Sequence, residues 1–300
     1  MDSKKNKLPD LKSKAYGGAW AINDSNTLQA MDQIITKHGN ALCDNSPDRF
    51  VHSYKDWFTS THRISGVDTF DGMTCSLGTT ETFDKFYLYH SNRRLRIFRG
   101  EYFYQQMVAR SLYAENWAWM DEDDIRPGDV LVFSLPFADT GGMIDGMDAI
   151  LDQCDTHGVP VLIDMAYINL ALDLAIDLSR DCIKVITTSL SKVFPVQYHR
   201  IGLRLTKGID DDLMIAYQQN QYVNKFGCGL GLEMMKQFNA DYTFESYRPK
   251  QKDICNELGI DPSPCVIFGV DRTSKYPEYN RGGATNRLCF SNLWNKKDKD

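Results

Sequence analysis

Residues 187–204 read TTSLSKVFPVQYHRIGLR and lie between two apolar runs. The run before them, residues 183–186, and the run after them, residues 201–205, are each typical of a buried strand. Lys192 stands among apolar and hydroxyl side chains in this segment. Because burial lowers the pKa of a lysine, its neutral amine can act as a nucleophile toward a carbonyl carbon.

The hydroxyl and guanidinium groups around Lys192 suit a phosphate group. Ser189 and Ser191 can donate hydrogen bonds, and Arg200 adds a permanent charge with a planar fork of donors. A lysine that forms an imine beside a phosphate site is how proteins hold pyridoxal phosphate. A chain of this length also has ordinary lysines close to serines, so this chemistry alone leaves both interpretations open.

The composition is that of a globular enzyme. The chain has 300 residues, which suggests one large domain or two modest ones. Hydrophobic residues make up 42% and charged residues 25%, so a sizeable core can form. The net charge of -6 gives no general case for binding nucleic acid.

No targeting or metal-binding signal is visible. Residues 1–5 are polar and show no signal peptide, and no stretch approaches the roughly 18 apolar residues of a membrane span. The eight cysteines form no C-x-x-C pair and the six histidines are scattered, which argues against a zinc site or a disulfide framework. We therefore expect reduced thiols, a cytoplasmic location, no metal and no membrane partner.

The apolar pattern predicts alternating helices and strands. The predicted helices cover residues 26–38 and 105–119, and a third helix ends at Gly158; the predicted strands cover residues 95–98, 129–135 and 159–163. This alternation indicates a mainly parallel sheet, whose sites lie at the carboxyl ends of strands. A G-x-G-x-G run at residues 227–231 follows no strand, so we expect a loop there rather than a dinucleotide site.

Three motifs together resemble a known family. The pattern S-x-x-K at residues 189–192, followed by R-x-G at residues 200–202, resembles the signature of the class I/II aminotransferases, which are fold-type I pyridoxal phosphate-dependent enzymes. The pattern D-x-A-Y at residues 164–167 matches another motif of that family completely. The resemblance covers residues 74–291.

The resemblance implies a fold and a domain organisation. The expected architecture is α/β, with a mainly parallel sheet in a three-layer large domain and a reduced small α+β domain. We expect an N-terminal arm and helix over residues 1–40, the large cofactor-binding domain over residues 41–205 and the small domain over residues 206–300. The small domain is expected to be reduced because the chain is shorter than most members of the family.

The resemblance also implies three catalytic roles. Lys192 would form the internal aldimine with the cofactor and then act as the general base for the proton shift. Asp164 would keep the pyridine nitrogen protonated, and Tyr167 would donate a hydrogen bond to the 3-oxygen of the ring. Taken alone, a carboxylate after a buried strand could equally cap a turn.

Two further groups of residues would bind the cofactor. A glycine followed by hydroxyl residues at a helix start offers backbone N–H groups to an anion, although a simple helix cap explains the pattern as well. The resemblance assigns phosphate binding to this turn and to the hydroxyl and guanidinium groups named above (Gly78, Thr79, Thr80, Ser189, Ser191, Arg200). Tyr102 is the expected ring that stacks on the pyridine, with Phe103 and Tyr104 left as alternatives.

Two positions concern the substrate and the reaction type. The family's Asn-Pro-x-Gly turn, which contacts the 3-oxygen, is only half present here: the Asn is missing, and Asp139 could take its place. Arg287 lies in a late motif whose arginine holds the substrate α-carboxylate, or else it makes a surface ion pair.

The resemblance predicts a pyridoxal phosphate-dependent aminotransferase that acts on an amino acid or a similar substrate and forms a homodimer. The first alternative is a non-transaminating enzyme with the same cofactor, such as a decarboxylase, lyase or amino-acid cyclase of a specialised biosynthetic pathway. The second, from another class, is a non-catalytic binding or scaffold protein. The intact Lys192 argues against the scaffold.

Overall fold

The computed structural model describes residues 19–60, 63–172, 174–209 and 212–295. The expected N-terminal arm falls mainly on residues 1–18, which lie outside the described residues. Within the described ranges no helix combines the length and the apolar character that crossing a bilayer requires. The domain boundaries at residues 40 and 205 stay a prediction.

The described residues form nine α-helices and twelve β-strands. The helices are α1 Ser25–His38, α2 Pro47–Phe58, α3 Thr79–Tyr89, α4 Phe103–Ser111, α5 Met147–His157, α6 Leu213–Gln219, α7 Lys225–Gln237, α8 Tyr242–Leu258 and α9 Ser291–Trp294. The strands are β1 Ile64–Ser65, β2 Gly72–Ser76, β3 Arg94–Ile97, β4 Trp117–Trp119, β5 Asp129–Ser134, β6 Val161–Asp164, β7 Ile176–Asp177, β8 Ile183–Ser189, β9 Gly202–Thr206, β10 Asp261–Pro262, β11 Phe268–Asp271 and β12 Asn286–Cys289.

A seven-stranded sheet in the order β2-β9-β8-β6-β5-β3-β4 forms the centre of the fold. Strand β9 pairs antiparallel with both of its neighbours, and the other neighbouring strands pair in parallel. The mainly parallel sheet expected from the sequence is therefore confirmed. Strands β10, β11 and β12 form a separate antiparallel sheet, and β1 pairs with β7.

Side chains of the central strands pack on both faces of the sheet. On β5, Val130 and Val132 belong to a core cluster with α3 and α4, whereas Leu131 and Phe133 belong to the larger cluster on the other face. Because successive side chains of a strand point to opposite faces, an uninterrupted apolar run requires cover on both sides. The helices supply that cover, which gives the expected three layers.

Two predicted elements are wrong. The helix expected over residues 105–119 ends at Ser111, and Trp117–Trp119 forms the edge strand β4, because pairing with β3 overrides the local helical pattern. The glycines at residues 227–231 lie inside α7 and not in a loop. A Cβ on Gly229 would lie 2.2 Å from the Leu42 carbonyl oxygen, so glycine here permits close packing of the helix.

A buried ion pair joins β3 to the start of β5. Arg96 and Asp129 are both fully buried, and Arg96 Nη1 lies 3.0 Å from Asp129 Oδ2. Arg94 donates two further hydrogen bonds to the same carboxylate. Removing one partner of such a pair leaves a buried charge without compensation.

We predict that Asp129→Ala lowers the free energy of unfolding by about 3–5 kcal/mol, measured by urea denaturation. The matched control is Asp121→Ala, which removes a pair between exposed side chains of Arg99 and Asp121 and should have little effect. Equal losses in the two variants would contradict this account of the pair.

Candidate active site

A cavity of about 500 Å³ lies at the carboxyl ends of the central strands, a size that falls within the range of ligand pockets. Asp164 ends β6, Ser189 ends β8 and Ser134 ends β5, so the parallel order of the strands brings their side chains to one edge. The cavity is lined by Ala19, Trp20, Thr79, Thr80, Tyr102, Ser134, Ala138, Asp164, Ala166, Tyr167, Ser189, Ser191, Lys192, Gln197, Tyr198 and Arg200.

Lys192 reaches the cavity from the turn that follows β8. Its Nζ donates a hydrogen bond of 2.6 Å to the carbonyl oxygen of Ala19 and lies 6.0 Å from the centre of the Tyr167 ring. Burial lowers the pKa of the Lys192 amine below its ordinary value, and the charges of Arg200 and Arg287 act in the same direction. The neutral amine that nucleophilic chemistry needs is therefore favoured here.

Asp164 provides a buried carboxyl group in the same cavity. Its Oδ1 accepts a hydrogen bond of 3.0 Å from the backbone N–H of Ala166. Burial, together with the nearby charge of Glu101, raises its pKa from 3.8 to about 7. A buried carboxyl group of this kind favours a cationic partner, because an ion pair relieves the cost of its charge.

One end of the cavity is built for an anion. Gly78 precedes α3 with φ +71°, and a Cβ there would lie 2.4 Å from Nη2 of Arg200. Arg200 itself has φ +51°, which is unusual for a residue with a side chain, and its Nη2 donates to the Leu77 carbonyl oxygen over 3.0 Å. Thr79 and Thr80, the first residues of α3, place backbone N–H groups beside this guanidinium.

Ser189 and Ser191 lie on the wall next to that end. Their Oγ atoms are 3.0 Å apart, and the Ser189 hydroxyl lies 2.9 Å from the Ile201 carbonyl oxygen. Both side chains are buried except for the surface that faces the cavity. Because the Ser189 hydroxyl already donates within the protein, Ser191 is the hydroxyl positioned to donate to an oxyanion between α3 and Lys192.

Two aromatic rings border the cavity. Tyr102, 42% exposed, lies at the start of α4 and stacks on Tyr104, with ring centres 6.2 Å apart. Tyr167 contacts the ring of Phe268 edge to face at 5.2 Å, and burial raises the pKa of its hydroxyl, which therefore stays a donor at neutral pH. Phe103 and Tyr104, the alternatives to Tyr102, do not line the cavity within the described residues.

Besides Gly78, which lies next to Arg200 at the edge of the cavity, two of the site residues expected from the sequence do not line this cavity. Asp139 is wedged between Gly100 and Gly283 and accepts a hydrogen bond of 2.9 Å from Thr285 Oγ1. It lines a neighbouring cavity of about 590 Å³ instead.

Arg287, the other such residue, is buried behind the cavity wall. It donates to the carbonyl oxygen of Ala138, and its guanidinium lies 4.1 Å from the centre of the Phe268 ring. Ala138 lines the cavity, so this arginine contacts the wall from outside.

Sequence reasoning missed Glu101 and Ser134. The fully buried Glu101 carboxylate accepts hydrogen bonds from Ser134 N (2.6 Å), Ser134 Oγ (2.8 Å) and Tyr102 N (2.7 Å). Glu101 follows the apolar strand β3, and Ser134 ends the apolar strand β5. A polar residue at the end of an apolar strand also pointed to Asp164, so the same reasoning would have found both. Trp20 and Ala19 gave no signal, because the N-terminal segment reaches the cavity only in the folded chain.

Comparisons with known proteins identify the fold. No family model and no curated protein matches the chain by sequence. Among solved structures, tyrosine aminotransferase from Leishmania infantum aligns with TM-score 0.64 at 12% identity, covering 98% of this chain and 97% of that one.

Two structures with other activities align equally well. L-Threonine-O-3-phosphate decarboxylase from Porphyromonas gingivalis has TM-score 0.60 at 12% identity, covering 92% of this chain and 94% of that one. A C-S lyase with bound PLP from Staphylococcus hominis has TM-score 0.65 at 9% identity, covering 97% and 87%.

The chain has the fold of the fold-type I pyridoxal phosphate-dependent enzymes, and the resemblance expected from the sequence is confirmed at the level of the fold. Identities of 9–12% do not select one reaction among them.

We predict that Asp164→Asn stabilises the cofactor-free protein at pH 8 by about 2–4 kcal/mol. The pKa of Asp164 is about 7 in the folded chain and 3.8 ordinarily, so folding retains a proton between these values and stability falls as the pH rises through them. The asparagine carries no such proton, so its advantage should shrink as the pH falls toward 3.8.

Urea denaturation of both proteins across this pH range measures the difference. An advantage of the variant that does not change with pH would contradict the assignment of a raised pKa to Asp164.

Proposed function

We propose that the protein is a pyridoxal phosphate-dependent aminotransferase that acts on an amino acid or a similar substrate. The observation that carries the proposal is the buried amine of Lys192, which shares one cavity with the Asp164 carboxyl group and with an anion-binding end beside Arg200. The fold supports the cofactor class, since fold neighbours include aminotransferases and a lyase with bound PLP.

The residues present fit this cofactor. The start of α3 would take the phosphate together with Ser189, Ser191 and Arg200, whose guanidinium approaches closely because position 78 has no Cβ. Asp164 would face the pyridine nitrogen, Tyr102 would lie against the ring, and Tyr167 would donate to the 3-oxygen. When bound, pyridoxal phosphate supplies an electron sink for the bonds at the substrate α-carbon.

The chain itself supplies proton transfer and orientation. Lys192 Nζ, whose pKa is lowered by burial, would remove the proton from the substrate α-carbon and return it to the carbon two bonds away. Asp164 would hold a proton on the pyridine nitrogen through an ion pair that also lowers the cost of burying the carboxylate charge. Trp20 and Tyr198, whose rings are 6.4 Å apart, border the cavity.

Arg287 is our proposed anchor for the substrate α-carboxylate. Its Nε is buried and has no hydrogen-bond partner within the described residues, so the guanidinium retains a donor. To use its planar fork on a carboxylate, the side chain would have to turn from Ala138 toward the cavity.

A non-transaminating reaction is the second candidate. Asp139, the expected replacement for the missing amide of the related motif, bonds Thr285 instead of lining the cavity with Lys192. The 3-oxygen would then lack one of its usual donors. The decarboxylase and the lyase among the fold neighbours show that this architecture supports such reactions.

Lys192 provides the decisive test of cofactor attachment. We predict that pyridoxal phosphate added to the wild-type protein gives an absorption band at about 420 nm, and that borohydride reduction fixes the cofactor on Lys192 in peptide mapping. Lys192→Ala should lose both signals. The matched control is Lys207→Ala, which removes another lysine of lowered pKa, located directly after β9, and should keep both signals.

Attachment to lysines other than Lys192, or no band in the wild-type protein, would reject the proposal. With attachment established, transfer of the amino group from an L-amino acid to a 2-oxo acid distinguishes transamination from decarboxylation or elimination, which release carbon dioxide or a leaving group instead.

We propose that the protein is a homodimer in the cytoplasm. Exposed apolar side chains surround the Lys192 cavity, which supports a contact surface there (Trp20, Tyr102, Tyr198). All eight cysteines are free, which suits a reducing compartment. Analytical ultracentrifugation at micromolar protein should give the mass of two chains, and the mass of one chain would contradict the dimer.

A further inference from the structure

Two cysteines outside the proposed active site lie in direct contact. Cys75 on β2 and Cys228 on α7 have their sulfur atoms 3.3 Å apart, although 153 positions separate them in the chain. Their exposed fractions are 7% and 2%. Neither residue has a role in the proposed reaction, so that reaction does not explain their contact.

A cavity gives small molecules access to this pair. Cys75 and Cys228 both line a space of about 330 Å³, which is bordered by Tyr217 and by the exposed Tyr222. Arg200 stands between this space and the Lys192 cavity. The thiols are therefore shielded from large reagents but accessible to a molecule close to water in size.

The surroundings give the two thiols different roles. The hydrogen bond with Cys228, followed by burial, raises the pKa of the Cys75 thiol. Cys228 lies in the first turn of α7, where backbone N–H groups stabilise negative charge. The position of Cys228 at the start of α7 therefore favours its sulfur as the one that reacts first.

We propose that Cys75 and Cys228 form a peroxide-sensitive dithiol site. The Cys228 sulfur attacks one oxygen of a hydroperoxide, the O–O bond breaks, and a sulfenic acid forms with release of water or an alcohol. The Cys75 sulfur then attacks the Cys228 sulfur, its proton leaves with the sulfenic oxygen as water, and the disulfide forms. The peroxide takes up the two electrons that the thiols lose.

The product would join α7 to the strand that leads into the anion-binding turn. Cys75 pairs with Leu203 in the sheet, and the next residue, Ser76, pairs with Gly202. A cross-link here closes a long loop of chain, which restricts the unfolded state. The site would therefore couple the redox state of the protein to the rigidity of β2 and α7.

The test uses the purified full chain, reduced and then treated with hydrogen peroxide at near-equimolar amounts. We expect the number of free thiols to fall from eight to six, a cross-linked peptide containing Cys75 and Cys228, and reversal by a thiol reductant. Cys228→Ser should abolish the cross-link. The matched control is Cys154→Ser, which removes another buried thiol and should keep it.

Peptide mapping of the wild-type protein decides the outcome even where a variant folds poorly. The proposal is overturned by oxidation confined to the more exposed Cys43 and Cys289, by a disulfide between other cysteines, or by an unchanged thiol count. Because the measurement needs no cofactor, its result is independent of whether Lys192 binds pyridoxal phosphate.

Discussion

The burial of one amine and one carboxyl group in the same cavity is the constraint on which the rest of the site depends. The pKa of the Lys192 amine is lowered and Asp164 retains its proton to about neutral pH, because each loses hydration at the strand ends. Burying these two groups lowers the stability of the chain when no ligand is bound. A ligand with an aldehyde carbon and a protonated ring nitrogen would satisfy both groups, which explains why the fold can tolerate them.

The central sheet makes this arrangement possible. Parallel strands bring Ser134, Asp164 and Ser189 to one edge of the sheet. Strand β9 runs antiparallel to β8 and begins at that same edge, so Arg200, which precedes it in the chain, reaches the same cavity. The arginine lies so close to position 78 that only glycine fits there. The anion-binding end thus follows from topology and from one glycine with positive φ, and not from a continuous motif.

The sequence predicted those parts of the site that local pattern determines. Strands ending at Asp164 and Ser189 were recognisable from apolar runs, and the motif spacing correctly indicated the fold. Asp139 shows the limit, since its place in a motif did not reveal that Gly100 and Gly283 enclose its side chain. The packing of α7 through Gly229, and the arrival of Trp20 at the cavity, depend on long-range contacts that no local pattern encodes.

The most direct test of this account is the protonation of Lys192 in the cofactor-free protein. Competitive acetylation at a series of pH values, read by peptide mass spectrometry, reports the fraction of each lysine that is neutral. The account predicts that Lys192 becomes reactive at clearly lower pH than Lys236, which is exposed on α7. If both lysines become reactive over the same pH range, the amine is not held neutral by burial and the central claim fails.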